Sequence, residues 1–272
     1  MVGPTLDALL ERWPSIEPIK LFFEPDGTFP NHPANPIVAS NLEDVQRAVV
    51  ENGCDLGVAF DGDGDRCVFV DEQGERVLSD LMTALLLRGF LEREPGAAIV
   101  YDLVSSSVVK EEIEEHGGVP IEERVGHAFI KATMREHNAP FAGENSGHYY
   151  WRDHWFADSG LVALARVLAL ITADGRPLSE IIAPLRRKAQ SGERNFEVAD
   201  KDAALEELVQ AFPSDDVTRL DGVTVRMPGW WFNARKSNTE PLLRLNVEAD
   251  HQEDLDEALR RLESILGVPV SH

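Results

Sequence analysis

Residues 56–66 read LGVAFDGDGDR, and this stretch decides how the surrounding part of the chain folds. The apolar run 56–60 predicts a short strand that leads directly into a loop carrying Asp61, Asp63 and Asp65 at alternate positions. The two intervening glycines allow the backbone to turn so that the three carboxylates converge. Concentrated carboxylate oxygen in one loop needs a compensating divalent cation, and Mg²⁺ or Ca²⁺ suits that ligand set. We therefore predict a metal site here, with coordination positions left open for a phosphate group.

Two alternatives compete with a catalytic metal loop. In an EF-hand, Asp61, Asp63, Asp65 and Glu72 would occupy positions one, three, five and twelve. The sixth position of such a loop needs glycine, but here it is Arg66, and the flanking residues have the pattern of strands. The other alternative is a solvated acidic turn that binds no metal.

The apolar pattern on both sides of this loop alternates between helices and strands. Helices are predicted at residues 6–12, 42–52, 80–92, 106–116, 128–137 and 157–172, and strands at 19–23, 56–60, 67–70, 76–78, 97–101, 119–121 and 141–142. This order predicts an α/β fold with two doubly wound domains, each with a mixed or mostly parallel sheet, the first domain being truncated.

The pattern changes after the polar stretch 190–194. A helix at 202–211 is followed by a hairpin of 217–220 and 223–227 around Asp221-Gly222, strands at 230–234 and 242–249, and a helix at 254–266. These elements predict a smaller α+β domain with an antiparallel sheet. The predicted domains are therefore 1–77, 78–190 and 191–272.

The charge of the chain excludes two classes of partner. Its 272 residues include 26 basic and 48 acidic side chains, so the formal net charge is −22. Such a surface repels nucleic acid and anionic lipid, and the longest apolar stretch is too short to span a bilayer. Cys54 and Cys67 fit neither a CxxC nor a zinc spacing, and the first residues do not resemble a secretory signal. We expect a cytoplasmic protein with reduced thiols.

A second polar loop, RKSNTEP at residues 235–241, has the composition of a phosphate cradle. A guanidinium, two hydroxyls, an amide and loop N–H groups together bind a phosphate well. Taken alone, the stretch is equally consistent with an ordinary polar turn between two strands.

A third polar loop, GENSGH at residues 143–148, places a carboxylate, a hydroxyl and an imidazole at alternate positions. These groups can form hydrogen bonds with neighbouring hydroxyls of a sugar. The alternative is a polar turn with a surface histidine.

Taken in this order, the three loops resemble those of the α-D-phosphohexomutase superfamily. The metal loop of that family reads DGDGDR or DGDADR, its sugar loop GExSGH and its phosphate loop RxSNTEP, and all three patterns are matched here. The segments FEPDGTFPNHPANP, VGHAFIKATM and HYYWRDHWFADSG are similar to bacterial and archaeal phosphomannomutases. The resemblance covers essentially the whole chain.

The resemblance implies an isomerase that moves a phosphoryl group between O6 and O1 of a hexose phosphate through a hexose 1,6-bisphosphate. Mannose phosphates, and also glucose phosphates, are the implied substrates, and Mg²⁺ is the implied cofactor. By role, the implied residues are Asp61, Asp63 and Asp65 for the metal; Arg66 and His127 for catalysis; Glu144, Ser146 and His148 for the sugar; and Arg235, Ser237, Asn238 and Thr239 for the phosphate.

The chain departs from the family pattern in two places. Some members have a lysine where this chain has Val104, which leaves the general base unassigned. No stretch resembles the TASHNP-like loop that carries the phosphoserine of the family; the serines at 105–107 are better explained by helix capping.

We therefore expect that the first domain and the opening of the second are missing. The alternative is a non-catalytic protein that binds sugar phosphate and Mg²⁺ and derives from a mutase. A truncated domain would expose apolar surface around Leu6, Leu9 and Leu10, so association through that surface is expected.

Overall fold

The computed structural model describes residues 2–237 and 240–270, and these form two compact units. The first unit comprises residues 1–121 and 126–186, and the second comprises residues 122–125 and 187–272. Each unit is built around buried apolar side chains of its own.

The first unit contains seven α-helices and eight strands among the described residues. The helices are α1 (Val2–Leu10), α2 (Glu43–Asn52), α3 (Ser79–Leu91), α4 (Ser107–Glu115), α5 (His127–Glu136), α6 (Gly160–Asp174) and α7 (Leu178–Ile182). The strands are β1 (Leu56–Phe60), β2 (Cys67–Asp71), β3 (Arg76–Val77), β4 (Ala98–Asp102), β5 (Val119–Glu123), β6 (Phe141–Gly143), β7 (Tyr149–Trp151) and β8 (Ala157–Asp158).

Strands β1, β2 and β3 form an antiparallel sheet in sequence order, so the mixed or mostly parallel sheet predicted for this part of the chain is not found among the described strands. Leu56 lies opposite Asp71 and Phe60 lies opposite Cys67, so the acidic loop 61–66 is the connection of a β-hairpin. All five residues of β2 are buried. Gly57 lies against Val49 of α2, where a Cβ atom would come within 2.7 Å of the Val49 side chain, and this lets the helix pack closely on β1.

The other sheet of this unit has the strand order β5-β4-β6-β7-β8. Strands β4 and β6 are parallel, whereas β6, β7 and β8 pair antiparallel. Helix α3 is almost entirely buried against this sheet, where Phe90 stacks on Phe141 with ring centroids 5.1 Å apart. Since β4 and β6 are parallel, the loops that follow them leave from the same edge of the sheet.

The second unit is an antiparallel sheet covered on one face by two helices. Its elements are β9 (Ala189–Gln190), β10 (Arg194–Phe196), α8 (Lys201–Ala211), β11 (Asp216–Thr218), β12 (Val223–Met227), β13 (Trp230–Lys236), β14 (Leu243–Ala249) and α9 (Gln252–Leu266). The strand order is β10-β14-β13-β12-β11, with β9 also paired to β14. Phe232, Leu245 and Leu262 belong to its core.

This architecture confirms the predicted class, α/β elements followed by an α+β unit with an antiparallel sheet. Gly53 is the C-cap of α2 and adopts φ +63°, a left-handed conformation that glycine adopts readily. Ser106 is the N-cap of α4, and its hydroxyl accepts the N–H of Val108. The serine run at 105–107 therefore caps a helix, as expected.

Three further expectations from the sequence are wrong. Residues 19–23 do not form a strand, because Phe22 adopts φ +54°, which is incompatible with extended backbone. Helix α6 begins at Gly160 rather than at 157, because Ala157–Asp158 is paired with β7. Leu6 is only 7% exposed and packs in the core, so it does not contribute to an exposed apolar surface. The exposed large apolar side chains near this end are Ile19, Phe22, Phe29 and Val38.

Within the described residues, no helix has the length and apolar character needed to cross a bilayer. Cys54 and Cys67 are both free thiols.

Candidate active site

The three aspartates of the β1–β2 connection converge as the sequence predicts. One carboxylate oxygen each from Asp61, Asp63 and Asp65 lies within 4.8 Å of the other two. Gly64 makes the turn possible with φ +82°, which a side-chain-bearing residue rarely adopts. The alternate spacing therefore places all three carboxylates at the tip of one hairpin.

Hydrogen bonds within the loop hold Asp61 in place. Its Oδ1 accepts the N–H groups of Gly64 at 2.9 Å and Arg66 at 3.2 Å, and its Oδ2 accepts the Nε–H of Arg66 at 2.7 Å. Burial raises the pKa of Asp61, but the hydrogen bonds and charge of Arg66 outweigh burial and keep this pKa below its ordinary value.

The pKa of Asp65 reflects both its burial and its closeness to the other two carboxylates. Burial and the charges of Asp61 and Asp63 raise the pKa of Asp65, while His148 opposes the shift. A divalent cation held among these oxygens would offset the mutual repulsion, and such cations prefer carboxylate ligands. The residues therefore fit a hard divalent ion such as Mg²⁺.

The EF-hand alternative is excluded by the surroundings of the loop. Both flanking elements are strands. Glu72, the twelfth position of such a loop, instead accepts the backbone N–H of Ser179 at 3.1 Å and the hydroxyl of the same residue. Its carboxylate therefore stabilises the start of α7.

The GENSGH loop connects β6 to β7, and its carboxylate is buried. Glu144 is 1% exposed. Its Oε1 accepts the N–H of Gly126 at 2.9 Å, while its Oε2 accepts the hydroxyl of Tyr150 and lies 3.1 Å from Nδ1 of His148. Burial raises the pKa of Glu144, but the hydrogen bonds from His148 and Tyr150 outweigh burial and lower it overall.

His148, the last residue of the GENSGH loop, lies close to the aspartate loop. Its Nδ1 is 2.8 Å from the hydroxyl of Ser146, and its Nε2 is 3.6 Å from Oδ2 of Asp65. Burial lowers the pKa of His148, but its hydrogen bond with Glu144 and the charges of Glu144 and Asp65 outweigh burial and raise it. The imidazole therefore carries positive charge more readily than a free histidine does.

The backbone also joins the metal loop to the GENSGH loop. The N–H of Cys67 donates to the carbonyl of Gly147 at 3.0 Å, and Arg66 forms an antiparallel bridge with His148. The N–H of Gly160, at the start of α6, donates to the carbonyl of Gly64 at 3.2 Å. The first two contacts hold the two loops side by side, and the third holds the metal loop against the start of α6.

Sequence reasoning missed one acidic residue in this cluster. Oxygen or nitrogen atoms of Asp65, His148 and Asp158 lie within 4.8 Å of one another. Asp158 lies opposite Tyr150 in the β7–β8 pair and is 2.8 Å from Nζ of Lys131. The feature of the sequence that could have revealed Asp158 is the short aromatic stretch YYW at residues 149–151, which forms a strand next to the loop.

The two residues named as catalytic have different surroundings. Arg66 follows the aspartates directly, and its guanidinium is bound to Asp61. His127 is the first residue of α5 and is exposed. It adjoins Gly126, whose N–H is bound to Glu144, so the start of α5 is anchored to the GENSGH loop.

In the second unit, the arginine that opens RKSNTEP is almost completely buried. Arg235 is 3% exposed, and its Nη2 donates to Glu193 at 2.9 Å. Arg244 lies opposite Arg235 in the β13–β14 pair and is 3.2 Å from the same glutamate. The Nε atoms of both arginines are buried without a hydrogen-bond partner within the described residues. In this structure Glu193 is the anionic partner of both guanidiniums.

The turn between β13 and β14 is closed by Ser237. Its N–H donates to the carbonyl of Leu242 at 2.9 Å, and its hydroxyl accepts the N–H of Glu240 at 3.2 Å. Asn238 and Thr239, the other two phosphate ligands named from the sequence, lie outside the described residues. Arg244 was not named from the sequence, although a hairpin register counted outward from the turn places it opposite Arg235.

Comparison with known proteins identifies the class to which this fold and these loops belong. Three domains of the phosphoglucomutase/phosphomannomutase family match in order: α/β/α domain II over residues 1–74, α/β/α domain III over 78–188 and the C-terminal domain over 193–263. The chain belongs to the α-D-phosphohexomutase superfamily.

Similar proteins found individually belong to the same family. The chain is 41% identical to a phosphomannomutase of Methanocaldococcus jannaschii, over 89% of this chain and 54% of the relative. It is 38% identical to a phosphomannomutase of Escherichia coli, over 95% of this chain and 58% of the relative. A phosphoglucomutase/phosphomannomutase family protein of Burkholderia thailandensis superposes with a TM-score of 0.87 at 32% identity, over 99% of this chain and 59% of that structure. The chain therefore spans somewhat more than half the length of these relatives.

Proposed function

We propose that the chain carries the metal-binding, sugar-binding and phosphate-binding parts of a hexose-phosphate mutase of the phosphomannomutase/phosphoglucomutase type. The observation that carries this proposal is the contact between the aspartate loop and the GENSGH loop, through the Cys67–Gly147 hydrogen bond and the His148–Asp65 pair. A solvated acidic turn needs no such neighbour. Relatives named phosphomannomutase support the same reading.

In this proposal, Asp61, Asp63 and Asp65 hold a Mg²⁺ ion. When bound, the ion supplies positive charge that stabilises a phosphoryl group during transfer. The guanidinium of Arg66 is kept beside the loop by Asp61 and adds charge of the same sign. The chain has a net charge of −22, so concentrated positive charge is needed to hold an anionic substrate.

The other loops bind the rest of the substrate. Ser146 and His148 are proposed to bind sugar hydroxyls together with Glu144, and His127 to contact the ligand from the start of α5. Arg235 and Ser237 are proposed to bind the phosphate that does not react. Asn238 and Thr239 complete that loop in the sequence.

The proposed reaction moves a phosphoryl group between O6 and O1 through a bisphosphate. In the first half, the P–O bond to a phosphoserine breaks, a P–O bond to the free sugar hydroxyl forms, and the hydroxyl proton passes to the serine oxygen. The second half reverses these steps at the other end of the bisphosphate. Residues 1–272 contain no TASHNP-like loop, so the phosphoserine in this proposal lies outside them. Mannose phosphates are the proposed substrates, with glucose phosphates as the second choice.

Ligand binding tests the proposal directly. Mg²⁺ and then glucose 1,6-bisphosphate or mannose 1-phosphate are titrated into the chain by calorimetry. Asp63→Asn should weaken Mg²⁺ binding at least about tenfold, a loss found even for groups that only support metal ligands. Asp26→Asn is the matched control, because Asp26 is an exposed loop aspartate bound to Thr28. No binding of either sugar phosphate with Mg²⁺ present would overturn the proposal.

Turnover distinguishes a mutase from a protein that only binds sugar phosphates. A coupled assay follows mannose 1-phosphate to mannose 6-phosphate, with the chain alone and with an added phosphoserine-bearing domain of a relative. Rescue of turnover by the added domain is the expected result. Binding without turnover in either case would favour the non-catalytic alternative.

A further inference from the structure

We propose that Asp102 is a positioning residue that holds the backbone of the 143–148 loop in the shape that binds the sugar. Nothing in the sequence pattern singled out this aspartate. The inference rests on the proposed function, because it gives Asp102 a part in binding the hexose phosphate without touching it.

The sheet places Asp102 beside the loop. Asp102 is the last residue of β4, and β6 ends at Gly143, the residue that opens the loop. The two strands are parallel, with Tyr101 opposite Gly143. Since parallel strands end at the same edge, the side chain that ends β4 meets the first residues after β6.

The carboxylate of Asp102 accepts a hydrogen bond on each oxygen. Its Oδ2 accepts the backbone N–H of Asn145 at 3.0 Å, and its Oδ1 accepts the hydroxyl of Ser105 at 2.5 Å. The N–H of Ser105 also donates to the carbonyl of Asp102 at 3.0 Å. The turn after β4 therefore fixes the carboxylate, and the carboxylate fixes the loop after β6.

Burial makes this hydrogen bond strong. Asp102 is 1% exposed, and a buried carboxylate is costly unless N–H and O–H groups satisfy it. The N–H of Asn145 lies between Glu144 and Ser146, the two residues proposed to bind sugar hydroxyls. A shift of this backbone would move both side chains.

The test uses Asp102→Asn, Asp102→Ala and the matched control Ser105→Ala. Alanine removes both acceptor oxygens, whereas asparagine can turn its one acceptor oxygen towards the Asn145 N–H and donate from its NH₂ group to the Ser105 hydroxyl. Ser105→Ala removes the neighbouring bond and leaves the bond to Asn145. Glucose 1,6-bisphosphate and Mg²⁺ are titrated separately, and amide exchange is followed by NMR.

Asp102→Ala should weaken glucose 1,6-bisphosphate binding about tenfold or more and speed exchange of the Asn145 amide by a similar factor. Mg²⁺ binding and the protection of the Val100 and Ala142 amides should stay near those of the unmodified chain. Ser105→Ala should change sugar-phosphate binding less than threefold. Asp102→Asn should have a smaller effect than the alanine variant, because it can keep one acceptor oxygen for the Asn145 N–H.

Two outcomes would overturn the inference. One is unchanged sugar-phosphate binding and unchanged Asn145 exchange in Asp102→Ala. The other is a general loss of protection at Val100 and Ala142, which would make Asp102 a structural residue only. Failure of the unmodified chain to bind glucose 1,6-bisphosphate would refute the proposed function, and Asn145 exchange would then still decide whether Asp102 holds the loop.

Discussion

Substitution of Gly147 by alanine should separate the two loops of the candidate site. Gly147 adopts φ +89°, a conformation that strains any residue with a Cβ atom. The added Cβ would lie 2.9 Å from the carbonyl oxygen of Cys67, which belongs to a buried core strand. Because that oxygen is part of the backbone, the GENSGH loop has to move away from the metal loop.

The expected cost follows from two contributions. A left-handed conformation costs a residue with a Cβ about 1–2 kcal/mol. The clash also weakens the Cys67–Gly147 hydrogen bond, a net loss of about 1 kcal/mol. Gly147→Ala should therefore lower the free energy of unfolding by about 2–3 kcal/mol.

Gly175→Ala is the matched control for backbone strain. Gly175 adopts φ +79° at the end of α6, and an added Cβ would meet nothing within 4 Å. The control should lose only about 1–2 kcal/mol. Urea unfolding with and without Mg²⁺ measures both variants. A Gly147 variant as stable as the Gly175 control, with unchanged sugar-phosphate binding, would refute the reasoning.

Three further changes probe other parts of the molecule. Iodoacetamide at pH 8 should label Cys54 in the native chain and leave Cys67 unmodified, because burial and the charge of Asp61 raise the pKa of the Cys67 thiol. Glu72→Gln should cost about 1 kcal/mol at pH 7, as for a lost helix cap. Burial raises the pKa of Glu72, but hydrogen bonds from Ser179 outweigh it and lower that pKa below 4.5, so this cost should vanish as the pH falls through the lowered pKa. Phe141→Ala should lower the free energy of unfolding by about 3–5 kcal/mol, because the ring is fully buried.

Each of these changes has a counterpart that should behave differently. Both cysteines should react after unfolding in urea. Glu75→Gln alters an exposed glutamate in the same turn and should change the free energy of unfolding at pH 7 very little. Phe129→Ala removes a ring that is 41% exposed and should cost well under the Phe141 change. Equal labelling of both native thiols, or a pH-independent Glu72 effect, would contradict the physical reasons given.

The metal loop could be predicted because its information is local. Asp61, Asp63 and Asp65 are close in sequence, and strand–turn–strand geometry brings alternate positions together. The contact of Asp65 with His148 depends on how two separate hairpins pack, and no short-range pattern contains it. The same holds for the hydrogen bond between Asp102 and Asn145, 43 residues apart.

Errors in the predicted fold also have local causes. The LFF run near residue 21 has the composition of a strand, but the positive φ of Phe22 interrupts it. Strand β7, YYW, is short and entirely apolar, so it lacks the alternation that marks a strand at a surface. The sequence pattern therefore does not predict β7, and it places Asp158, which pairs with β7, in the following helix.

The buried core of the first unit crosses the division at residue 77. Phe69 and Val77 pack in the same cluster as Leu81 and Phe141, although the family comparison assigns residues 1–74 and 78–188 to separate domains. Neither segment would retain its share of this core if it were expressed without the other. Chimaeras with related enzymes should therefore exchange the two segments together, with the joint placed after residue 186, where the first compact unit ends.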